Sequence, residues 1–301
     1  MNQRFLKVFL LVILIAFCFL ESYSQGFKND TLRLLLIGNS FSQNATRYLQ
    51  ELAKEGKHPL IIGRAEIGGC SLQQHWDLNR STSEKPYKGK SLKAILSEQK
   101  WDIVSIQQNS MNSPNIDTYY PYADSLYKLI KQCQPTAEVV LHQTWAYRSD
   151  SETFGNVSAK GLALNEKEMW EKSRYAYQTI AKKLNVRIIP VGDAFWKVSS
   201  DKKWKYVVDS DFNYTNPILG ELPEQKNSLH VGYYWNKSKK FCHDTHHASN
   251  AGCFLGSLVW YGFLFNESPV NLNFCPKTVS EDFSVFFKKT ALKEIKTNNH
   301  N

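Results

Sequence analysis

The stretch Leu32–Ser42 (LRLLLIGNSFS) decides the fold. Six mostly apolar residues, Leu32–Ile37, have the length and composition of a buried strand, and Gly38 ends the run. A polar turn through Asn39 and Ser40 follows, and apolar residues then recur at helical spacing over residues 44–54. A buried strand that passes through a tight turn into a helix is the repeating unit of an α/β protein.

The same unit recurs along the chain. Further strand-like runs occupy residues 59–67, 102–106, 138–142 and 186–191, and helical patterns occupy residues 90–98, 120–131, 166–184 and 248–265. Strands that alternate with helices in this way favour a parallel sheet covered on both faces. We therefore predict a flavodoxin-like three-layer α/β/α sandwich with a parallel sheet of about five strands.

Residues 197–241 interrupt this alternation. They are rich in Lys, Tyr, Trp, Asn and Asp and show no clean period, which is typical of a functional loop or a small subdomain. The simplest organisation is one domain, residues 25–301, with an irregular insertion at about 197–241. The aromatic residues of this region could stack on sugar rings, or they could form a small core of the insertion: Trp196, Trp204, Tyr206, Tyr214, Tyr233, Tyr234 and Trp235.

The first 24 residues have the pattern of a signal peptide. Arg4 and Lys7 precede thirteen unbroken apolar residues, 8–20, and small and polar residues follow. Thirteen residues are fewer than the ~20 that cross a bilayer, and no later stretch is long enough, which excludes a multi-span membrane protein. We predict cleavage near Ser24 and export to the periplasm or the extracellular space. Lipidation of Cys18 is the less favoured alternative, because Phe17 is bulky where such sites need a small residue.

Charge and cysteine content narrow the class further. Removing residues 1–24 leaves 277 residues and lowers the formal charge from +9 to +8. The basic residues are scattered, so we expect a solvated basic surface and no nucleic-acid partner. Five cysteines remain without regular spacing, which is not a disulfide scaffold. If any pair is bridged, we expect Cys242–Cys275.

Polar residues follow the carboxyl ends of the predicted strands, which is where we expect a ligand to bind. Ligands of open α/β sheets bind at the carboxyl ends of the strands. The first three strands end in residues 38–42 (GNSFS), 68–71 (GGCS) and 107–110 (QQNS), and residues 243–247 (HDTHH) precede the last core helix.

A serine between a buried strand and a helix N-terminus is well placed to be a nucleophile, because backbone N–H groups and the helix dipole favour negative charge there. Ser40 has this position. Such a serine needs a base, commonly a histidine oriented by a carboxylate. The Asp244-x-x-His247 spacing predicts both side chains on one turn, with the aspartate holding the imidazole that faces Ser40.

The order Gly-Asn-Ser-Phe, loop glycine, loop asparagine and Asp-x-x-His resembles the SGNH (GDSL-type) hydrolases. It resembles most a poorly characterised bacterial branch with a G-N-S-F-S first block and a second block like Ile67–Leu72 (IGGCSL). The resemblance spans about residues 32–266. It implies an SGNH hydrolase fold and a serine esterase in which Ser40 is the nucleophile, His247 the general base and Asp244 its orienting partner.

The resemblance also implies an oxyanion hole made by the backbone N–H groups of Ser40 and Gly69 and the side chain of Asn109. Two blocks depart from the family pattern. Asn39 replaces the usual aspartate of the first block, and Gln-Gln-Asn-Ser replaces the usual Gly-x-Asn-Asp of the third. The departure in the third block leaves Gln107 or Gln108 open as the donor instead of Asn109. In the second block, Gly68 is the alternative to Gly69.

Four further residues are candidates for contact with substrate: Asn39, Gln107, His142 and Trp145. For the last two, packing at the rim of the site is an equal alternative. The histidines and aspartate of residues 243–247 could instead share a metal ion. Adjacent His246 and His247 do not easily point at one ion, however, so we expect no metal and no cofactor.

These observations predict an exported esterase that removes acetyl or other short acyl groups from carbohydrate through an acyl-enzyme. The substrate would be a small-molecule or polysaccharide ester. A lipase or thioesterase, and an inactive glycan-binding protein that uses the same cleft, are the alternatives. Fold alone does not decide between them.

Overall fold

The computed structural model describes residues 30–80, 85–155 and 163–298, so the predicted signal peptide lies outside the described residues. Five strands form one sheet, and two more form a separate hairpin. Their bounds are β1 Leu32–Gly38, β2 Leu60–Glu66, β3 Ile103–Ile106, β4 Glu138–His142, β5 Arg187–Ile189, β6 His230–Trp235 and β7 Phe241–Ala248.

The helices alternate with the strands of the sheet, and two more follow the hairpin. They are α1 Ser40–Ala45, α2 Leu49–Glu55, α3 Leu72–Arg80, α4 Leu92–Ser97, α5 Tyr122–Cys133, α6 Glu166–Leu184, α7 Val191–Ser199, α8 Asn250–Phe265 and α9 Glu281–Asn298, with short 3-10 turns at Ile116–Tyr119 and Pro269–Asn271. Among the helices in the described ranges, none combines the length and the apolarity needed to cross a bilayer.

The five-stranded sheet has the order β2-β1-β3-β4-β5, and every neighbouring pair is parallel. Alternate residues of β1 face opposite sides. Leu34 and Leu36 pack in a core with α1, α2, α7, α8 and α9, whereas Leu35 and Ile37 pack in a second core with α3, α4, α5 and α6. The predicted three-layer α/β/α fold is confirmed.

Two local expectations are wrong. The helix predicted over residues 44–54 is two short helices, and the first begins at Ser40, so the serine lies inside the first helical turn. The pair Cys242–Cys275 is not bridged. Each of the five cysteines in the described ranges is a free thiol, and the Sγ atoms of these two contact the Lys240 and Pro276 carbonyl oxygens instead.

The predicted insertion contains turns and bends over residues 200–229 and then the β6–β7 hairpin. The hairpin is antiparallel and returns the chain to the sheet, where β7 contacts α1 and leads into α8. Because β1 leads into α1, the hairpin and the end of the first strand meet at one edge of the sheet.

Candidate active site

Ser40 is presented by the turn between β1 and α1. Asn39 is the N-cap of α1, and its side-chain oxygen accepts a hydrogen bond from the Phe41 N–H at 2.9 Å. Gly38 ends the strand where a side chain would collide, since a Cβ there would lie 2.5 Å from Ser42 Oγ and 3.0 Å from the Gln107 side chain. The sharp strand-to-helix turn therefore needs the Gly-Asn-Ser order.

Ser40, His247 and Asp244 form a continuous hydrogen-bonded chain. The Nδ1 atom of His247 lies 2.8 Å from Asp244 Oδ2, and its Nε2 atom lies 3.0 Å from Ser40 Oγ. Because a carboxylate only accepts, Nδ1 carries the proton, and Nε2 is left to accept from the serine hydroxyl. This is the tautomer that a general base for Ser40 requires.

A β-bulge, and not a helical turn, places Asp244 and His247 on one side. His230 pairs with Ala248 and Gly232 pairs with Asp244, so three residues of β7 lie opposite Val231 alone. In a regular strand, residues three apart point to opposite faces. The expectation that Asp244 and His247 share a turn is wrong in its cause, although their side chains do meet.

The Asp244 carboxylate is held by several donors. Its Oδ1 atom accepts from the backbone N–H groups of His246 and His247 at 3.2 and 2.9 Å. Burial alone would raise the pKa of Asp244, but the hydrogen bonds from the His247 ring and backbone lower it well below its ordinary value. Asp244 is therefore ionised at neutral pH and accepts the hydrogen bond from His247 Nδ1.

The loop after β4 supports strand β7. The indole N–H of Trp145 donates to the His246 carbonyl at 2.9 Å, and the Arg148 N–H donates to the Thr245 carbonyl at 2.9 Å. The ring of Trp145 stacks between Phe41 and Phe195, with centroids 4.2 and 4.5 Å away. One buried indole thus connects the first turn of α1 to the bulge.

A buried arginine fastens the hairpin to the same loop. Arg148 is 2 % exposed, and its guanidinium donates bidentately to Asp150 at 2.7 and 2.8 Å. It also contacts Gln225 Oε1, Ser228 Oγ and His243 Nε2 at 2.9, 3.2 and 2.9 Å. Burial would raise the pKa of Asp150, but the hydrogen bonds from His243 and Arg148 lower it.

The loops after β2 and β3 contact each other, and both contact Asn39, the residue before Ser40. Asn109 Nδ2 donates to the Gly69 carbonyl at 2.9 Å, and Gly69 has a positive φ of 66°. The Gln108 amide is used elsewhere, since its Nε2 donates to Thr118 and its Oε1 accepts from the Leu72 and Asn109 N–H groups. The third block has three candidates for the oxyanion donor, and Asn109 is therefore the one whose side chain contacts the loop that carries Gly69.

The four residues expected to contact substrate lie beneath the site. Asn39, Gln107, His142 and Trp145 are each at most 1 % exposed, so their side chains pack inside the protein, which for His142 and Trp145 is the packing alternative. Asn39 Oδ1 accepts from Gln107 Nε2 at 2.7 Å, and Gln107 Oε1 lies 2.9 Å from His142 Nδ1. These polar groups bond to one another and support the loops from inside the protein.

Sequence reasoning makes His75 a rim candidate like His142, and it missed Ser110 and Tyr147. His75 is buried and bridges the Gly38 carbonyl at 3.0 Å and the Tyr87 hydroxyl at 2.7 Å, which holds the end of β1. Ser110 Oγ and the Tyr147 hydroxyl lie 3.0 Å apart. Ser110 directly follows Asn109 in the third block, and that adjacency was the one available signal.

The aromatic residues of the insertion mostly pack on one another. Tyr233 stacks on His243 at 3.8 Å and lies 4.9 Å from Tyr214, and Trp204 stacks on Phe283 of α9 at 4.8 Å. These contacts are those of a small core of the insertion. Tyr234 differs, because its side chain is 39 % exposed.

The bulge also changes the geometry of the histidine cluster. One ligand atom from each of Asp244, His246 and His247 can be chosen so that all lie within 4.8 Å of one another. The premise that adjacent His246 and His247 cannot point at one ion is therefore wrong, because the bulge removes the alternation that would separate their rings.

The fold and site can now be compared with known proteins. A family profile described as "Domain of unknown function (DUF4886)" matches residues 33–213. A DUF4886 family protein from Bacteroides uniformis ATCC 8492 is 23 % identical with a TM-score of 0.69, and the match covers 89 % of this chain and 95 % of that chain. No curated protein matches the sequence.

More distant structures also match. A candidate SGNH hydrolase from Slackia heliotrinireducens is 18 % identical, with a TM-score of 0.48 over 77 % of this chain and 98 % of that chain. A candidate GDSL-like lipase from Parabacteroides merdae ATCC 43184 is 14 % identical, with a TM-score of 0.43 over 77 % and 96 %. In this chain the four sequence blocks that carry the resemblance meet at one edge of the sheet.

Replacing Arg148 tests how much its buried ion pair with Asp150 stabilises the protein. In Arg148→Met, Asp150 loses its partner in a buried setting, so we expect the free energy of unfolding to fall by about 3–5 kcal/mol. Arg187→Met is the matched control, because its bidentate pair with Glu138 is 47 % and 39 % exposed and such pairs contribute about 0–1 kcal/mol. Urea denaturation measures both. Equal losses of unfolding free energy in the two variants would contradict a special contribution from the buried Arg148–Asp150 pair.

Acid should destabilise the protein through three buried histidines. Burial lowers the pKa of His75 and His230 to about 4 and that of His142 to about 3. The unfolded chain takes up a proton on each near pH 6.5, so stability falls as the pH drops from 6.5 towards 4, by about 1.4 kcal/mol per pH unit and histidine. Burial raises the pKa of Glu166 to about 7, so this carboxyl acts in the opposite direction over the same pH range. Urea denaturation at pH 6.5 and 5 measures the net fall, and His230→Gln should reduce it by about 1.6 kcal/mol. An unchanged fall in that variant would show that His230 does not titrate in this way.

Proposed function

Because the chain belongs to the DUF4886 family, a domain of unknown function, we propose its activity from the site itself: it is a serine esterase that works through an acyl-enzyme. The observation that carries the proposal is the chain of contacts from Asp244 through His247 to Ser40, at 2.8 and 3.0 Å. A serine hydroxyl, an imidazole in the required tautomer and a half-buried carboxylate together make a nucleophile with its base.

In the first step, Ser40 Oγ forms a bond to the ester carbonyl carbon, and His247 Nε2 takes the hydroxyl proton. Asp244 stabilises the imidazolium that results. When the intermediate collapses, the carbon–oxygen bond to the alcohol breaks, and His247 returns the proton to the departing alcohol. A water molecule, activated by His247 in the same way, then releases the acyl group from Ser40.

The oxyanion of the intermediate needs donors that are already in place. We assign this role to the Ser40 and Gly69 backbone N–H groups and to Asn109 Nδ2. An asparagine amide has two N–H donors, and the Gly69 carbonyl uses one of those on Asn109. The other is available for the substrate. The same bond fixes the loop after β2 against the loop after β3.

The surroundings of Ser40 favour a short acyl group on a polar alcohol. The rim residues Gly68 and Gly69 are exposed and carry no side chain, and His247 is 35 % exposed in its side chain. The large apolar rings next to Ser40, Phe41 and Trp145, are 3 % and 0 % exposed and therefore offer no groove for a long acyl chain. Acetyl esters of carbohydrate are the substrate class that we propose.

We also propose that the enzyme acts outside the cytoplasm, after the predicted signal peptide of residues 1–24 directs export. Polymeric esters such as acetylated polysaccharides are met there. The scattered positive charge of the sequence is an exported enzyme's solvated surface in this proposal, and neither a nucleic acid nor a resident cofactor takes part.

Replacing Ser40 tests the enzyme proposal. Ser40→Ala should lower kcat/KM for p-nitrophenyl acetate by at least roughly 10³-fold, because the nucleophile is lost while the oxyanion donors stay. Ser42→Ala is the matched control in the same helical turn. Its hydroxyl donates to the Asn39 carbonyl at 2.9 Å, so most activity should remain. A fluorophosphonate should add to Ser40 alone, as seen by mass spectrometry of the peptides. Equal turnover by wild type and Ser40→Ala would refute the proposal and favour an inactive binding protein.

Acyl chain length tests the substrate class. The wild type should hydrolyse p-nitrophenyl acetate with a higher kcat/KM than the octanoate, since the buried rings of Phe41 and Trp145 offer no apolar surface to the longer chain. Acetate release from acetylated polysaccharides, measured against the same polymers after chemical deacetylation, identifies the natural class. Preference for octanoate would instead support a lipase or thioesterase with the same triad.

A further inference from the structure

The Asp244 carboxylate serves two imidazoles. Oδ2 lies 2.8 Å from His247 Nδ1, and Oδ1 lies 3.2 Å from His246 Nδ1. The two rings are 4.2 Å apart between centroids and inclined at 45°. The catalytic chain needs only His247, so the second imidazole on the same carboxylate is left without a role in the proposed reaction.

The donor set suits one class of ion. Imidazole nitrogen and carboxylate oxygen are ligands of Zn²⁺ and similar transition metals, at about 2.0–2.2 Å. Ligand atoms of Asp244, His246 and His247 within 4.8 Å of one another can surround such an ion from one side, leaving a fourth position for water. Mg²⁺ and Ca²⁺ need six or more oxygen ligands, so this set does not suit them.

The ligands are also accessible and held in place. The side chains of His246 and His247 are 42 % and 35 % exposed, which lets an ion reach them from solvent. The His246 carbonyl accepts from the indole of Trp145, and the N–H groups of both histidines donate to Asp244 Oδ1. Partners of this kind orient ligands before the ion arrives.

From this geometry we propose that Asp244, His246 and His247 bind Zn²⁺ and that the bound ion inhibits the enzyme. The binding is independent of the proposed function, whereas the inhibition rests on the proposed role of His247 as general base. An ion on His247 Nδ1 takes the place of its proton. The neutral ring then carries that proton on Nε2, which can no longer accept the proton of Ser40. No other bond is made or broken, and a chelator reverses the change.

The metal site depends on His246, because Asp244 and His247 alone provide too few ligands. A dyad of Asp244 and His247 offers two ligands, and the exposed imidazole of His246 supplies the third. His246 touches neither Ser40 nor the oxyanion donors in the contacts described above, so His246→Gln should keep most of the esterase activity. The neighbouring His243 is the matched control, because its ring stacks on Tyr233 and its Nε2 faces Asp150, away from Asp244.

Direct binding is measured first, on the Ser40→Ala protein, so that no activity is needed. Titration calorimetry with Zn²⁺ should show one site per chain. Adding His246→Gln should weaken the affinity by more than the ~10- to 100-fold that follows loss of a supporting partner of a ligand. Adding His243→Gln should leave the affinity within a few-fold. Circular dichroism and thermal unfolding verify that each variant is folded, and His246→Asn serves if the glutamine variant is not.

Inhibition is measured second, on proteins that keep Ser40. Zn²⁺ should suppress p-nitrophenyl acetate turnover by the wild type, EDTA should restore it, and Mg²⁺ should have no effect. His246→Gln should stay active at Zn²⁺ concentrations that stop the wild type. No calorimetric site, or equal Zn²⁺ affinity with and without His246, would overturn the metal proposal. Absence of esterase activity in the metal-free wild type would count against the proposed function and leave the binding result standing.

Discussion

The bulge in β7 is the constraint on which the site depends. Three residues of β7 oppose Val231, and this excess brings Asp244 and His247 to one side of a strand whose regular pleat would separate them. Gly232 makes the bulge possible. It has a φ of +70°, and a Cβ there would lie 2.1 Å from the Arg148 guanidinium. The contact between Asp244 and His247 is therefore a product of strand pairing, and it exists only while the hairpin keeps its register.

The hairpin keeps that register because buried polar groups from the core hold it. Trp145 and Arg148 bind the backbone of β7, and the His230 ring binds the Ala146 carbonyl at 3.0 Å. Asn44 of α1 accepts from the Ala248 N–H at 3.1 Å, so the helix that begins at Ser40 is tied to the end of β7. Buried polar groups are costly unless all are partnered. Here the same bonds that satisfy them also set the distance from His247 to Ser40, which links folding stability to the geometry of the candidate site.

Local sequence patterns were sufficient to predict most of the fold. They were insufficient to predict the contacts that hold the site residues in place. The bounds of β4 and α6 match their patterns residue for residue, because buried strands and long amphipathic helices are defined by their own spacing. The bulge could not be predicted, since it depends on which residue of β6 pairs with which residue of β7. A polar residue at a strand end can face a ligand or pack inside the protein, and Gln107 and His142 do the second. Burial is decided by partners distant in sequence, and these two residues are partners of each other.

The same network explains the two departures from the SGNH pattern. Asn39 stands where the family usually has aspartate, and Gln107 aligns with the usual glycine of the third block. The structure places them in direct contact at 2.7 Å. Asn39 must accept from Gln107 and Phe41 and also donate to the Cys70 carbonyl at 2.9 Å, which an ionised aspartate cannot do. A glycine at 107 would leave the Asn39 oxygen with one partner fewer and the His142 Nδ1 with no side-chain oxygen at that position. Each departure therefore depends on the other. Together, the two side-chain amides connect the loops after β1, β2 and β3. The usual residues would place a carboxylate at this position.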